Sequence, residues 1–245
     1  MGCVATQMIE ADLAAVAALI GDPTRAAMLS ALADADALSV SQLADLAGVR
    51  LSTASEHLRR LEEARLVRST RQGRGRFVSL AGPEVATALE SLALIAPPIP
   101  VRSLRQSVVA SKLAVARTCY DHLAGRLGVA ILEDLLRLPA LRPAGGHLYE
   151  VTRRGSTTMG SLDIDLPGLR AGKRALARAC LDWTEKRPHL GGAVGAAICK
   201  VALERGWIAR RDRIVEVTPA GNEGLIAWLG PGSEVASFLA GQATS

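Results

Sequence analysis

The sequence predicts a mainly α chain with small β-hairpins, an α+β class built in two parts. Three observations carry that expectation. Apolar residues recur at helical spacing through the first sixty residues, two alternating segments flank a glycine-bearing turn over 66–80, and a later stretch of the chain repeats itself. A length of 245 residues favours two structural units, and 49% hydrophobic against 22% charged residues supplies ample material for packed cores.

From Asp12 to Ala33 the apolar positions Leu13, Val16 and Leu19, then Ala27, Leu29 and Leu32, predict two helices broken at Gly21, Asp22 and Pro23. A short third helix runs from about Ser41 to Ala47 and stops at Gly48, which can take a left-handed conformation. Ser52 is placed to cap a helix from Thr53 to Ala64, whose inner face carries Ala54, Leu58 and Leu61. Its other face displays Thr53, Ser55, Glu56, His57, Arg59 and Arg60. Leu66–Thr70 and Arg76–Leu80 alternate as strands do, joined by the basic turn Arg71, Gln72, Gly73, Arg74 and Gly75. Helix, turn, helix and basic hairpin in that order describe a winged helix-turn-helix.

The formal net charge is +5, and Arg59, Arg60, Arg65, Arg68, Arg71, Arg74 and Arg76 fall within eighteen residues. A charge run is commonly only a solvated face. Here it coincides with the helix that fits a major groove and with the hairpin that reaches flanking phosphates, so double-stranded DNA is the expected partner.

The segments GDPTRAAMLSALAD, LSVSQLADLAGVRLSTASEHLRRLEEARLV and RQGRGRFVSL resemble the ArsR/SmtB family of bacterial repressors over roughly residues 10–95. The resemblance implies that the helix matching Ser52 to Ala64 enters the major groove. Ser52, Thr53, Ser55, His57 and Arg60 are then the base and backbone contacts, with Arg71, Arg74 and Arg76 on the wing. It also implies a homodimer that leaves its operator when a small effector binds. The chain departs from the family's metal box, because Leu38, Ser39, Val40, Ser41, Gln42 and Leu43 offer no thiolate there. The helix from about Pro83 to Leu94 has no histidine and only Glu84 and Glu90 as carboxylates, so sensing is expected elsewhere.

Ile95, Ala96, Pro97, Pro98, Ile99 and Pro100 cannot continue a helix, which places a linker over 96–103 after a DNA-binding and dimerisation domain over 1–95. Beyond it, 104–230 is expected to be a duplicated effector domain with repeats near 116–165 and 177–230, followed by a tail over 231–245. Arg117, Cys119, Asp121, His122, Leu123, Gly125 and Gly128 pair with Arg178, Cys180, Asp182, His189, Leu190, Gly192 and Gly195. Each copy reads as helix, turn, apolar helix, strands and a capped last helix, giving two pseudo-repeated helix-helix-hairpin lobes.

Cysteine, aspartate and histidine are the side chains that coordinate transition metals. Cys119, Asp121, His122, Cys180, Asp182 and His189 are therefore the candidate metal or effector residues, for a transition metal or metalloid. On a helix Cys119 and His122 share a face while Asp121 points away, and His189 behind Pro188 has to return from a loop. Other readings stand beside this one: buried cysteines as small hydrophobes and Asp–His pairs as turn-fixing hydrogen bonds, a thiol redox sensor using Cys119 and Cys180, and a cysteine-dependent enzyme. The aromatic enrichment at Tyr120, Tyr149, Trp183, Trp207, Trp228 and Phe238 also fits an organic-ligand pocket. Cys199 sits on an apolar stretch and reads as core. Four cysteines without a CxxC pair, and no apolar run of membrane-spanning length, point to reduced thiols, a cytoplasmic location and no membrane contact.

Overall fold

The computed structural model describes residues 12–35, 37–73, 75–97, 100 and 103–242; Arg74 of the wing and much of the proline-rich stretch lie outside them. The chain divides between Val85 and Ala86 into two compact units. No helix among the described residues is long and apolar enough to cross a membrane.

In the first unit, α1 (Leu13–Ile20) is capped by Asp12, and α2 (Pro23–Asp34) starts at a proline behind an Asp22 cap that accepts from the Arg25 amide. Strand β1 (Leu38–Ser39) leads into α3 (Val40–Ala47), where Ser39 and Gln42 cap each other's backbone amides reciprocally. Gly48 ends α3 with φ +66, as its lack of a Cβ allows. Helix α4 spans Leu51–Glu63 with Arg50 as its cap residue, so Ser52 lies inside the helix instead of capping it. The correction has a local cause: Arg50 already holds the extended dihedrals of a cap, and no side chain bonds the first amides. Strands β2 (Val67–Gln72) and β3 (Gly75–Leu80) pair antiparallel, and β1 joins the outer side of β3. Met28, Leu29, Leu32, Leu43, Ala54, Leu58, Leu61 and Val78 are sealed from solvent beneath them. Helix, turn, helix and hairpin thus close over one small core.

The unit boundary falls inside α5 (Pro83–Ile95), upstream of the expected linker. Second-unit side chains hold this helix: Arg178 donates to Thr87 Oγ1 at 2.5 Å and Arg213 to Glu90 Oε1 at 2.7 Å. Helix α6 (Leu104–Val115) follows, capped by Ser103. The order strand, strand, helix, strand, strand, helix then occurs twice. It runs first through β4 (Arg117–Cys119), β5 (His122–Ala124), α7 (Gly125–Arg137), β6 (Leu141–Pro143), β7 (Tyr149–Val151) and α8 (Arg153–Gly160). After α9 (Leu166–Ala171) it continues through β8 (Arg178–Leu181), β9 (Pro188–Gly191), α10 (Gly192–Glu204), β10 (Ile208–Arg211), β11 (Ile214–Val217) and α11 (Pro219–Leu229).

Where a helix was expected to open each copy there is a hairpin, because Gly125 at φ +70 and Gly192 at φ +87 prevent α7 and α10 from extending backwards. The two copies do not form separate lobes either. Thr118 and Val215 bond Arg213 and Ala116 so that β4 adds to β11, and Ala179 and Tyr149 bond His147 and Ala177 in the corresponding places. Helix α7 packs on β9 and α10 on β5, so each helix covers the other copy's hairpin. The expected tail is a helix as well, α12 (Glu234–Gln242), with Val235 and Leu239 buried. The buried Asp134 carboxylate on α7 accepts from the Glu234 and Val235 amides at 2.9 and 3.0 Å and so caps α12 from across the unit.

Close approach at α10 depends on a missing side chain. A Cβ on Gly195 would lie 2.2 Å from the Leu190 carbonyl oxygen, and one on Gly128 would lie 2.4 Å from that of Leu123. Backbone cannot yield as a flexible side chain can, so Gly195→Ala is expected to destabilise the protein by about 2–4 kcal/mol in urea unfolding. Gly160→Ala, with open space around it, should stay within about 1 kcal/mol of the parent. Equal midpoints for the two variants would refute the close packing.

Candidate functional site

The two hairpins present their chemistry in the same register. Cys119 faces His122 across β4 and β5, and Cys180 faces His189 across β8 and β9. The first hairpin turns tightly at Tyr120, which takes φ +58, whereas the second carries a longer loop with Lys186 at φ +55. Helical spacing therefore does not relate Cys119 to His122. His189 also needs no return from a loop, because the longer connection lies beyond the ladder and leaves the Cys180–His189 pairing intact.

All four side chains are buried and converge. Cys119 Sγ and Cys180 Sγ are 3.8 Å apart, His122 Nε2 and His189 Nε2 are 3.2 Å apart, and one donor atom from each residue lies within 4.8 Å of the others. Asp121 and Asp182 stand behind the imidazoles. Asp121 Oδ1 is 3.2 Å from His122 Nδ1, and Asp182 Oδ2 is 3.1 Å from His189 Nδ1. At His122 the Asp121 carboxylate hydrogen-bonds Nδ1, whereas at His189 the Asp182 carboxylate lies within ion-pair distance of Nδ1 without hydrogen-bond geometry. In both the carboxylate stands on the Nδ1 side and Nε2 faces the cluster, the side on which metal-binding histidines are commonly held.

Each carboxylate has its own cation. Arg174 donates to Asp121 through both terminal nitrogens, one at 2.9 Å. Arg117, wholly buried beside Trp183, donates to Asp182 Oδ1 at 2.9 Å. Asp182 also accepts from Thr184 and from the amides of Gly125, Thr184 and Glu185. Burial works to raise both carboxyl pKa values, and these partners outweigh it: Asp121 is held at about 2 and Asp182 well below the usual carboxylate range. The two thiol pKa values are pushed apart: that of Cys180 is drawn down by its bond with Cys119, against the opposing effect of burial and with further bonds from His122 and His189. Cys119 is pushed up by donating that bond, then by burial and by the charge of Glu90. Burial would lower the His189 pKa, but Asp182 and Cys180 turn the net shift upward.

Arg117, Arg174, Glu90 and Arg213 complete the site without having been singled out in the sequence. Arg117 carried a signal, since it is matched by Arg178 in the second copy. Glu90 stands out only as one of two carboxylates on its helix, and Arg174 carries no signal. Cys199 is buried in the main core, as its apolar setting suggests.

On α4, Ser52, Thr53 and Arg60 are exposed. Ser55 spends its hydroxyl on the Leu51 carbonyl, and Glu56 binds both Arg59 and Arg60, with the Arg60 contact at 3.0 Å. His57 is turned toward α2, where its Nδ1 lies 3.4 Å from Arg25 Nη1 and 3.8 Å from Asp22. It thus belongs to the helix–helix contact more than to the outer face. Arg71 is exposed on the wing, whereas Arg76 is half-buried and bound to Glu62 at 2.6 Å. Arg74 lies outside the described residues.

Residues 20–70 match a family model described as a helix-turn-helix domain. Over 212 residues the chain is 38% identical to the HTH-type transcriptional regulator YdfF of Bacillus subtilis (strain 168), covering 86% of this chain and 93% of that one. Among solved structures, NolR from Sinorhizobium fredii is 27% identical over 34% of this chain and 81% of its own, with a TM-score of 0.31. The cadmium metal-sensor CMTR from Mycobacterium tuberculosis is 33% identical over 38% of this chain and 100% of its own, with a TM-score of 0.30.

Proposed function

The chain belongs to the HTH-type transcriptional regulators, and from that membership we propose that it is a cytoplasmic, homodimeric repressor that a metal or metalloid effector releases from its operator. A regulator family, not an enzyme family, is the context for the Cys–His–Asp constellation. The observation that carries the DNA reading is the exposed start of α4, with Ser52 and Thr53 exposed toward base edges, Arg71 exposed on the wing and Arg60 exposed beside Glu56, the partner a phosphate would replace. Arg76 supports the wing through Glu62 before it can serve a phosphate, and His57 supports α4 through α2.

An operator fragment selected from random duplexes by the purified chain tests this surface. Arg60→Ala and Arg71→Ala are each expected to reduce the slope of log affinity against log salt by about 1, the loss of one phosphate contact. Arg65→Ala serves as the comparison for a residue outside the proposed contacts. Unchanged slopes for Arg60 and Arg71 would refute the proposed surface.

The effector site is the Cys119, His122, Cys180 and His189 cluster, and the duplicated sequence supplies one Cys–His pair from each copy. Its route to the DNA-binding residues is α5. Thr87 and Glu90 on that helix are tied to Arg178 on β8 and to Arg213, which also reaches the Thr118 carbonyl beside Cys119 at 3.3 Å. The same helix follows the wing strand β3 directly in the chain. Glu90→Gln should weaken the effect of metal occupancy on operator affinity, with each affinity measured separately in the variant; full coupling in that variant would remove α5 from the route.

The 3.8 Å separation of Cys119 Sγ and Cys180 Sγ favours a second reading, in which peroxide joins them as a disulfide and oxidation is the signal. Operator release by peroxide in metal-free protein, without release by metal, would select it.

A further inference from the structure

We infer that the cluster takes one divalent, four-coordinate ion of the zinc and cadmium class through Cys119 Sγ, Cys180 Sγ, His122 Nε2 and His189 Nε2. This deepens the metal-effector reading and rests on it.

Two edges of the cluster match those of a tetrahedron. With metal–sulfur bonds of about 2.3 Å and metal–nitrogen bonds of about 2.0–2.1 Å, a regular tetrahedral site has an S–S edge of about 3.8 Å and an N–N edge of about 3.3 Å. The observed edges are 3.8 and 3.2 Å. A linear two-sulfur ion would need the sulfurs separated by about twice the bond length, near 4.6 Å, and would leave both oriented imidazoles without a role. A pyramidal metalloid needs three sulfurs, and this cluster contains two.

Charge points to the same class. Asp121 is neutralised by Arg174, Asp182 by Arg117 and Glu90 by Arg213, so these neighbouring carboxylates are already balanced by cations of their own. Two thiolates and two neutral imidazoles carry −2. A divalent ion makes the buried centre neutral, whereas a monovalent ion leaves an uncompensated negative charge in a buried site. As each sulfur–metal bond forms, any proton on that sulfur leaves to solvent. All four positions are filled by protein, which is the arrangement of a closed site and not of a catalytic one.

The test uses the full chain, reduced and stripped with chelator under argon. Cobalt(II) alone should bind one equivalent and give intense visible bands of tetrahedral geometry with a near-ultraviolet thiolate charge-transfer band. Zinc(II) should then bleach them one for one. Weak six-coordinate bands, or a stoichiometry other than one, would overturn the inference. X-ray absorption of the zinc-loaded parent should show two sulfur and two nitrogen neighbours, and this readout needs no variant that folds; a sulfur-only or oxygen-dominated shell would also overturn it. Operator binding is followed in the same titration. Tetrahedral bands without any change in occupancy would sink the effector reading and leave the coordination standing, while metal-driven release without those bands would do the reverse.

Discussion

Changing Asp182 to alanine is expected to destabilise the metal-free protein by about 3–5 kcal/mol, because it leaves the Arg117 guanidinium buried without its counter-charge. Both side chains are wholly sealed from solvent. The same carboxylate accepts from the Gly125 amide at the start of α7 and from three donors in the loop after β8, so its removal unseats a helix start and a turn together. Replacing both charges, as Arg117→Met with Asp182→Leu, should recover part of the loss, since the unpaired charge and not the absent pair is what destabilises most. Because the folded-state pKa of Asp182 is depressed, its contribution is fully present above about pH 4 and is lost as pH falls toward that depressed value. Urea unfolding with chelator present separates this effect from metal binding. An alanine variant with the parent's midpoint would show that the pair is not a buried structural element. In the metal-loaded protein, a milder Asp182→Asn change should weaken metal affinity by about 10–100-fold, the usual consequence of disturbing a carboxylate behind a ligand histidine.

The parts of the fold that were legible in the sequence are those fixed by neighbours along the chain. Gly48 stops α3, Thr218 with Pro219 starts α11, and strand alternation marks the wing, each within a few residues. The start of α4 was misplaced by two residues because serine is a good cap in general, while the backbone at Arg50 makes Ser52 superfluous. The candidate site was legible in composition and not in shape. Duplication marked Cys119, His122, Cys180 and His189 as a set, but their convergence depends on ladders between residues far apart in sequence, Thr118 with Arg213 and Ala179 with His147. Helical periodicity along the chain carries no trace of those pairings, and the local pattern of each hairpin reads as a helix. Arg174 reaches the site from the segment between α9 and β8 and Glu90 from α5, and the repeated residues marked neither. For α12 the deciding group is Asp134, a hundred residues away. A terminal segment with weak signals of its own reads as a tail until its capping carboxylate is seen.

Exchanging Cys180 for serine is expected to lower metal affinity by more than the roughly 10–100-fold typical of an outer partner, and to abolish the metal response of operator binding. Ligand softness decides the effect: a serine hydroxyl remains protonated and offers a hard oxygen where the site is built around two sulfurs. Cys180 supplies one of the two sulfurs of the cluster, and its loss leaves a single thiolate among the four donors. Operator affinity of the metal-free variant should stay within about twofold of the parent, the scatter expected of independent sites. If the variant binds DNA normally yet still responds to metal, the cluster is not the sensor. Peroxide supplies the complementary result. Two thiols and one hydrogen peroxide give a disulfide and two waters, and the sulfurs must close from 3.8 Å to about 2.05 Å to do so. An ion between them holds them apart, so metal-loaded parent should resist oxidation that the metal-free chain undergoes. Metal and oxidant then compete for the same two sulfurs, and Cys180→Ser removes both responses at once. A variant that loses only one of them would assign the other signal to a different site.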